Sequence, residues 1–231
     1  FYKCFGFKGE LTIPSEVVTI GERSFSKCFG FSNLKFESKN KIKSIGDYAF
    51  SDCWNFSGLL EIPSSIKVIG DSAFSNCSNF TSLYIPPNIK NIPLYAFYGC
   101  SGFKGKLDIS SIIVIDEHAF HGCSGFTDQL SISSVRIIGD GAFIGCSGFT
   151  SLEFPENISI IGNNIFQDCY GFKGNLSIPQ TVQSIGDYAF CCCSNFSCSL
   201  IIPEEVTSIG DGAFYNCSNF FGQLTIPDSV T

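Results

Sequence analysis

Apolar and polar positions follow two interleaved rhythms in this chain, and the pair of rhythms returns every 23 to 25 residues. Over Leu60-Glu61-Ile62 the alternation has period two, the mark of a strand with one buried face. The same triplet recurs at Leu11/Ile13, Leu83/Ile85, Leu107/Ile109, Leu130/Ile132, Leu176/Ile178, Leu200/Ile202 and Leu224/Ile226, with Phe36 and Phe154 standing for the Ile in two further copies. Pro follows in most copies and ends the strand by removing a backbone donor. A second apolar pair then appears at a spacing of three, from Val17/Ile20, Ile42/Ile45 and Ile66/Ile69 through Val206/Ile209. β-Branched residues dominate it, which predicts a short extended segment on another side of a coil.

Between one copy and the next runs a segment of the form Gly-acidic-x-Ala-Phe-x-x-Cys. Gly occupies its place in seven of nine copies, and an acidic residue follows in seven of nine: Glu22, Asp47, Asp71, Glu117, Asp140, Asp187 and Asp211. An acid just before x-Ala-Phe is placed to cap a single helical or 3₁₀ turn. Ten cysteines mark the column: Cys4, Cys28, Cys53, Cys77, Cys100, Cys123, Cys146, Cys169, Cys193 and Cys217. Each has a Phe three residues before it and another three after it. The residue two after each Cys is Gly or Asn, for example Gly102, Asn195 and Asn219. These two types tolerate left-handed backbone angles best, so a bend with positive φ is expected there.

A fixed period of this size is the signature of a solenoid, in which each repeat is one turn of a stacked coil. The fold class expected is an α/β solenoid, mostly β, with short extended segments and 3₁₀ turns beside the main strands. Residues 1–231 are expected to form one solenoid of about ten coils, since coils are added without a second core. At the strand spacing of ~4.8 Å per coil, ten turns span roughly 45 Å. Two coils depart from the pattern, with Ile92-Pro93-Leu94 and Ile115-Asp116-Glu117 where others have Ile-Gly-acidic. Coil two also carries two extra residues between Phe36 and Ile42, expected to bulge at the surface without breaking the stack.

Composition adds little to the architecture but narrows the function. Twenty of the 25 Phe fall in the two columns flanking Cys, so the aromatic content is structural. The net charge of −7 argues against nucleic acid or an anionic membrane surface as partner, because both need a basic patch. No apolar run approaches the ~18 residues that span a bilayer. The start lacks a basic segment followed by an apolar one, so no signal peptide is visible. The chain has no Met, begins inside the Phe column at Phe1 and stops within a coil at Thr231. Stable solenoids close with atypical polar caps, and the reading from these ends is a piece of a longer array.

The string Leu200-x-Ile202-Pro203-x-x-Val206-x-x-Ile209-Gly210-x-x-Ala213-Phe214-x-x-Cys217 closely resembles the BspA-type leucine-rich repeat, also called the Treponema pallidum type. The resemblance extends over essentially the whole chain. It departs from the common leucine-rich repeat by lacking the Asn ladder after the first strand, and from many relatives by using Phe, not Leu, three after Cys. It implies a right-handed superhelix with a parallel sheet on the concave face. It also implies surface proteins of oral bacteria and protozoan parasites, with adhesion or host-protein binding as the role, although a fold does not fix a function.

The residues that suggest chemistry have plainer readings. The Cys column is read as buried free thiols packing as small hydrophobes. Cys191, Cys192 and Cys198 lie off the column and form a Cys-rich patch with Cys193, for which a disulfide stays open; the spacing matches no common zinc pattern. His118 and His121, the only two His, sit beside Asp116 and Glu117 and are read as a solvated face and not a metal site. The acidic column is read as capping and solubility. Sequons at Asn55, Asn76, Asn79, Asn157, Asn175, Asn195 and Asn216 mostly follow from the repeat itself. No nucleophile with an orienting base and no phosphate loop stands out, so neither an enzyme nor a cofactor is expected.

A partner is expected on the concave strand, where outward positions vary freely. The early coils carry Lys35, Glu61, Tyr84, Lys106 and Asp108, an aromatic among both signs of charge, while later coils are mostly small and polar. A second candidate is the rim formed by the residue after each Cys, which is Phe5, Phe29, Trp54 and Tyr170 in four coils. The functional reading is a protein- or glycan-binding module of a cell-surface or secreted protein. An intracellular scaffold and a passive spacer are the alternatives.

Overall fold

A computed structural model describes residues 1–231 as a stack of coils with fifteen short strands and no helix. One face carries β1 (Gly9–Ile13), β3 (Phe31–Phe36), β5 (Gly58–Glu61), β7 (Phe80–Tyr84), β10 (Gln129–Ser131) and β12 (Ser151–Glu153). A second face carries nine two-residue strands, one per turn. They are β2 (Thr19–Ile20), β4 (Ser44–Ile45), β6 (Val68–Ile69), β8 (Asn91–Ile92), β9 (Val114–Ile115), β11 (Ile137–Ile138), β13 (Ile160–Ile161), β14 (Ser184–Ile185) and β15 (Ser208–Ile209). All pairing is parallel and keeps the register of the repeat, with Leu11 opposite Leu34, Leu60 opposite Leu83, and Ile20, Ile45 and Ile69 in line.

The expected α component and 3₁₀ turns are absent, and the backbone of residues 70–77 shows why. The N–H groups of Ala73, Ser75 and Cys77 reach back to the carbonyls of Gly70, Ser72 and Phe74 at 3.3, 3.1 and 3.1 Å. The intervening N–H groups, of Ser72, Phe74 and Asn76, donate instead to Leu94, Ala96 and Tyr98 of the next coil at 2.8, 2.9 and 2.6 Å. Ser72 and Asn76 have φ of 54° and 59°. A left-handed residue every fourth position stops the chain from winding on, since a 3₁₀ helix needs negative φ throughout. The segment is therefore a chain of β-turns that alternates local bonds with bonds to its neighbour.

Positive φ falls five residues before Cys and one before it, as at Ser72 and Asn76 before Cys77, and not two after it as the Gly/Asn column suggests. That column has another cause. A Cβ on Gly102 would run into the carbonyl oxygens of Ser78 and Phe80 in the preceding coil. Where Asn stands in the column it can turn the close approach into a bond: Asn195 Nδ2 donates to the Tyr170 carbonyl at 2.6 Å.

The interior is one cluster of 60 buried residues built on two Phe ladders. Before Cys, Phe50–Phe74, Phe74–Phe97 and Phe97–Phe120 stack at 5.4, 5.8 and 5.4 Å between centroids. After Cys, Phe103–Phe126 and Phe126–Phe149 stack at 5.4 and 5.6 Å. The ladders meet edge-on, as at Phe97–Phe103, 6.2 Å apart. Burial of each Phe contributes on the order of 2–3 kcal/mol.

Neither face is one continuous sheet. The second face divides into β2-β4-β6, β8-β9-β11 and β13-β14-β15. Gly46 and Gly70 each donate their N–H to the Ile20 and Ile45 carbonyls at 2.8 Å. Pro93 holds the equivalent place after β8 and has no N–H to give to Ile69, so β6 and β8 do not pair. The first face, expected as a single parallel sheet, consists of the pairs β1-β3, β5-β7 and β10-β12. The insertion of coil two thus leaves the second face intact and coincides with a lapse on the first, between β3 and β5. The inserted stretch folds on itself, with Lys39 at φ 58° and Asn40 Nδ2 donating to the Glu37 carbonyl at 3.0 Å.

Candidate binding surface

Period-two alternation turns Lys35, Glu61 and Tyr84 outward from β3, β5 and β7, and all three are exposed. Glu61 lies directly opposite Tyr84 in the β5–β7 register. Lys35 lies opposite Thr12, and its Nζ sits 3.9 Å from Glu10 Oε1. So exposed a pair contributes about 0–1 kcal/mol, which leaves Lys35 free to meet a ligand. Where β3 and β5 fail to pair, a cleft of about 680 Å³ opens, with Lys35, Phe36 and Glu37 on one wall and Leu59, Glu61 and Pro63 on the other. The structure therefore unites Lys35 with Glu61 across a cleft, and Glu61 with Tyr84 along a ladder.

Lys106 and Asp108 belong to the following coil, which has no strand on this face. Both are exposed on either side of buried Leu107, and no ladder ties them to Tyr84. Asp108 Oδ1 accepts the N–H and hydroxyl of Ser110 at 3.1 and 2.7 Å. These bonds, with Lys106 nearby, hold its carboxyl below the usual carboxylate range. Asp108 is thus a fixed negative charge beside a free Lys.

On the rim, Phe5, Phe29 and Trp54 form an external stack with centroids 4.7 and 4.3 Å apart. Stacking covers the faces of Phe29 and leaves Trp54 40% exposed toward the coil where the column turns to Ser. Tyr170 stands alone. The sequence reading missed a third group on the turn side, where Tyr95 stacks on His118 at 4.8 Å and Tyr98 lies 4.8 Å from His121. The two His are half-buried and not a solvated face, with their Nδ1 atoms 3.3 Å apart. Burial, then the neighbouring His118, pushes the His121 pKa down. The signal was the placement of Tyr, Tyr, His and His at equal offsets in adjacent coils.

The acidic column does not cap its own turns. Asp47 Oδ1 accepts the N–H of Asp71 at 2.9 Å, and Asp187 Oδ1 that of Asp211 at 2.8 Å, each one coil onward. Asn163 continues the same ladder, bonding back to Asp140 and forward to Asp187 at 2.9 Å. Partial burial, then the Asp47 and Asp116 charges, raise the Asp71 pKa.

The Cys column is more than packing. Cys77, Cys100, Cys123 and Cys146 donate their thiol hydrogens to the carbonyls of Phe50, Phe74, Phe97 and Phe120 at 3.1 Å. Burial lifts Cys53 and Cys100 to about 12, so these thiols stay protonated and unreactive at neutral pH. Off the column, Cys198 Sγ accepts the Leu176 N–H at 3.4 Å, while Cys191 and Cys192 lie side by side with sulfurs 3.6 Å apart. All thirteen cysteines are free thiols. No group of three or more His, Cys, Asp or Glu is arranged to hold a metal ion, and no helix is long and apolar enough to cross a membrane.

The chain matches the family model for the BspA type leucine rich repeat region, over residues 1–127 and 113–231. No curated protein matches it by sequence. Among solved structures it is similar to a leucine-rich repeat protein of Bacteroides ovatus, at 28% identity and TM-score 0.76, covering 96% of this chain and 52% of that one. It is similar in fold to a leucine rich cell surface protein of Faecalibacterium prausnitzii, at 22% identity and TM-score 0.62, covering 96% of this chain and 60% of that one. The pneumococcal vaccine antigen PcpA also shares the fold, at 17% identity and TM-score 0.61, with 96% and 61% covered. The chain thus spans between half and two thirds of the length of these proteins.

Proposed function

The chain belongs to the BspA-type leucine-rich repeat family, and from that premise we propose that it is a non-enzymatic binding module of a cell-surface protein, used in adhesion or host recognition. Its ligand, a protein or a glycan, docks on the first strand face of the early coils. The observation that carries this reading is the pairing of exposed Glu61 with exposed Tyr84 beside the cleft that holds Lys35. An aromatic anchor next to both signs of charge is where interface energy concentrates. Lys106 and Asp108 extend the surface by one coil. The description of one structural relative as a cell surface protein and of another as a vaccine antigen supports the location.

Binding of the fluorescently labelled chain to epithelial cells, read by flow cytometry, tests the reading. Tyr84→Ala is expected to abolish most binding and Trp54→Ala to leave it intact, with both variants shown to fold. Loss only with Trp54→Ala moves the site to the aromatic rim. Protease or glycosidase treatment of the cells separates a protein ligand from a glycan. The thirteen free thiols favour a second reading, an intracellular interaction scaffold, because unpaired cysteines suit a reducing compartment. Absence of any wild-type binding favours that scaffold or a passive spacer.

A further inference from the structure

Cys191 and Cys192 differ from the other cysteines in what surrounds them. The column thiols point inward and give their hydrogens to Phe carbonyls. Cys192 occupies the left-handed position just before Cys193, with φ of 61°, and is only partly buried. Two donors converge on its sulfur: the Cys191 thiol and Asn216 Nδ2, each at 3.6 Å. Its backbone is pinned, since its N–H donates to the Tyr215 carbonyl and its own carbonyl accepts the Ser194 N–H, both at 2.8 Å.

The same positions in coil three hold an anion with matching donors. There Asp52 stands where Cys192 does. Its carboxylate accepts the hydroxyl of Ser51 at 3.2 Å and the side-chain amide of Asn76 at 2.8 Å. Ser51 corresponds to Cys191 and Asn76 to Asn216. In coil eight the carboxylate of Asp168 likewise accepts from the preceding residue, Gln167, at 3.3 Å. In these two coils the position thus holds a carboxylate with a donor on the preceding residue, and at Asp52 a second donor from the next coil. At 192 a sulfur replaces the carboxylate.

We propose that Cys192 is a peroxide-reactive cysteine and Cys191 its resolving thiol, so that residues 191 and 192 form an oxidative modification site. The Cys192 sulfur gives its proton to solvent and attacks one oxygen of hydrogen peroxide, the O–O bond breaks, and the leaving hydroxide takes a proton back from solvent as the first water. Cys192 is then a sulfenic acid. The Cys191 sulfur displaces the sulfenic hydroxyl, the S–O bond breaks and the S–S bond forms. The Cys191 proton leaves with that hydroxide as a second water. Two thiols are oxidised and one peroxide is reduced to two waters. Closing the sulfurs from 3.6 Å to a bond of about 2.05 Å reshapes the turn before Cys193. Burial, then the bond to Cys192, raises Cys191 to about 12, in keeping with its place as the donor of the pair.

The full chain treated with hydrogen peroxide and mapped by mass spectrometry tests this. The expected result is loss of two hydrogens from the peptide holding Cys191 and Cys192 while Cys100 stays reduced. In Cys191→Ser, dimedone is expected to trap a sulfenic acid on Cys192. Cys192→Ser is expected to remove the modification, and Asn216→Ala to slow it several-fold. If the pair stays reduced while Cys4 or Cys217 oxidises first, the proposal is overturned. Peroxide consumption unchanged in Cys192→Ser overturns it equally.

Discussion

Cys77 gives its thiol hydrogen to the carbonyl of Phe50 in the preceding coil at 3.1 Å, and the same carbonyl receives the N–H of Cys53 at 3.2 Å. One oxygen thus joins a turn within its own coil to the coil that follows. Repeated along the column, this makes the protonated thiol a structural group.

Stability should therefore fall in alkali. Burial raises Cys53 and Cys100 from 9.0 to about 12 in the folded chain. A raised pKa of an acidic group means stability that is full below the unfolded value and is lost as pH rises toward the folded one. Each such thiol withdraws about 1.4 kcal/mol per pH unit in that window. Urea melts at pH 7, 9 and 10.5 should show a loss above pH 9 that shrinks in a Cys100→Ala variant, and a flat profile would refute the account.

Phe120 is fully buried and stacks on Phe97 at 5.4 Å and on Phe143 at 5.6 Å. Phe120→Ala should cost about 3–5 kcal/mol. Ser131→Ala on the first strand face should stay within about 0.5 kcal/mol. Equal midpoint shifts in denaturant would mean that the faces are misassigned.

Gly6 and Gly102 hold the same place in the repeat with opposite surroundings. A Cβ on Gly102 meets backbone oxygens of the preceding coil, whereas one on Gly6 has nothing within 4 Å. Gly102→Ala should destabilise by about 1–3 kcal/mol, because backbone must move. Gly6→Ala should be neutral within about 0.5 kcal/mol. Thermal melts of the two variants decide it, and a neutral Gly102→Ala is the outcome against it.

Pro93→Gly supplies the N–H missing opposite Ile69. The gained bond, about 1 kcal/mol, is offset by about 1 kcal/mol of added freedom in the unfolded chain. Little change in midpoint is expected, but the amide of residue 93 should become slow to exchange. Fast exchange there would show that the strands stay apart for another reason.

The sequence displayed the coil, its period and its buried columns because each buried position recurs with the same side-chain type. It displayed the exposed positions by their variation, and Lys35, Glu61, Tyr84 and Trp54 are where that variation put them. Handing bonds to the next coil leaves no such trace. The N–H of Ser72 bonds to Leu94, a partner 22 residues on, so a local reading of Asp71-Ser72-Ala73-Phe74 returned a capped 3₁₀ turn. The Gly/Asn column misled for a related reason: glycine serves both left-handed angles and close approach, and only the neighbouring coil distinguishes them. The cleft beside Lys35 was hidden because a loop insertion tells nothing about which strands lose their pairing.

The missing bond between β6 and β8 has a mechanical meaning. In a one-dimensional array, cohesion between neighbours is set interface by interface. At Pro93 the second face lacks its link, while Phe74 still stacks on Phe97 and Cys100 still bonds to Phe74. The seam is open on one side and latched on the other, which is the anatomy of a hinge. Tension along the array would open the second face there while the β5–β7 ladder keeps Glu61 opposite Tyr84, turning the coils that carry Tyr84 and Lys106 as one body relative to those that carry Lys35.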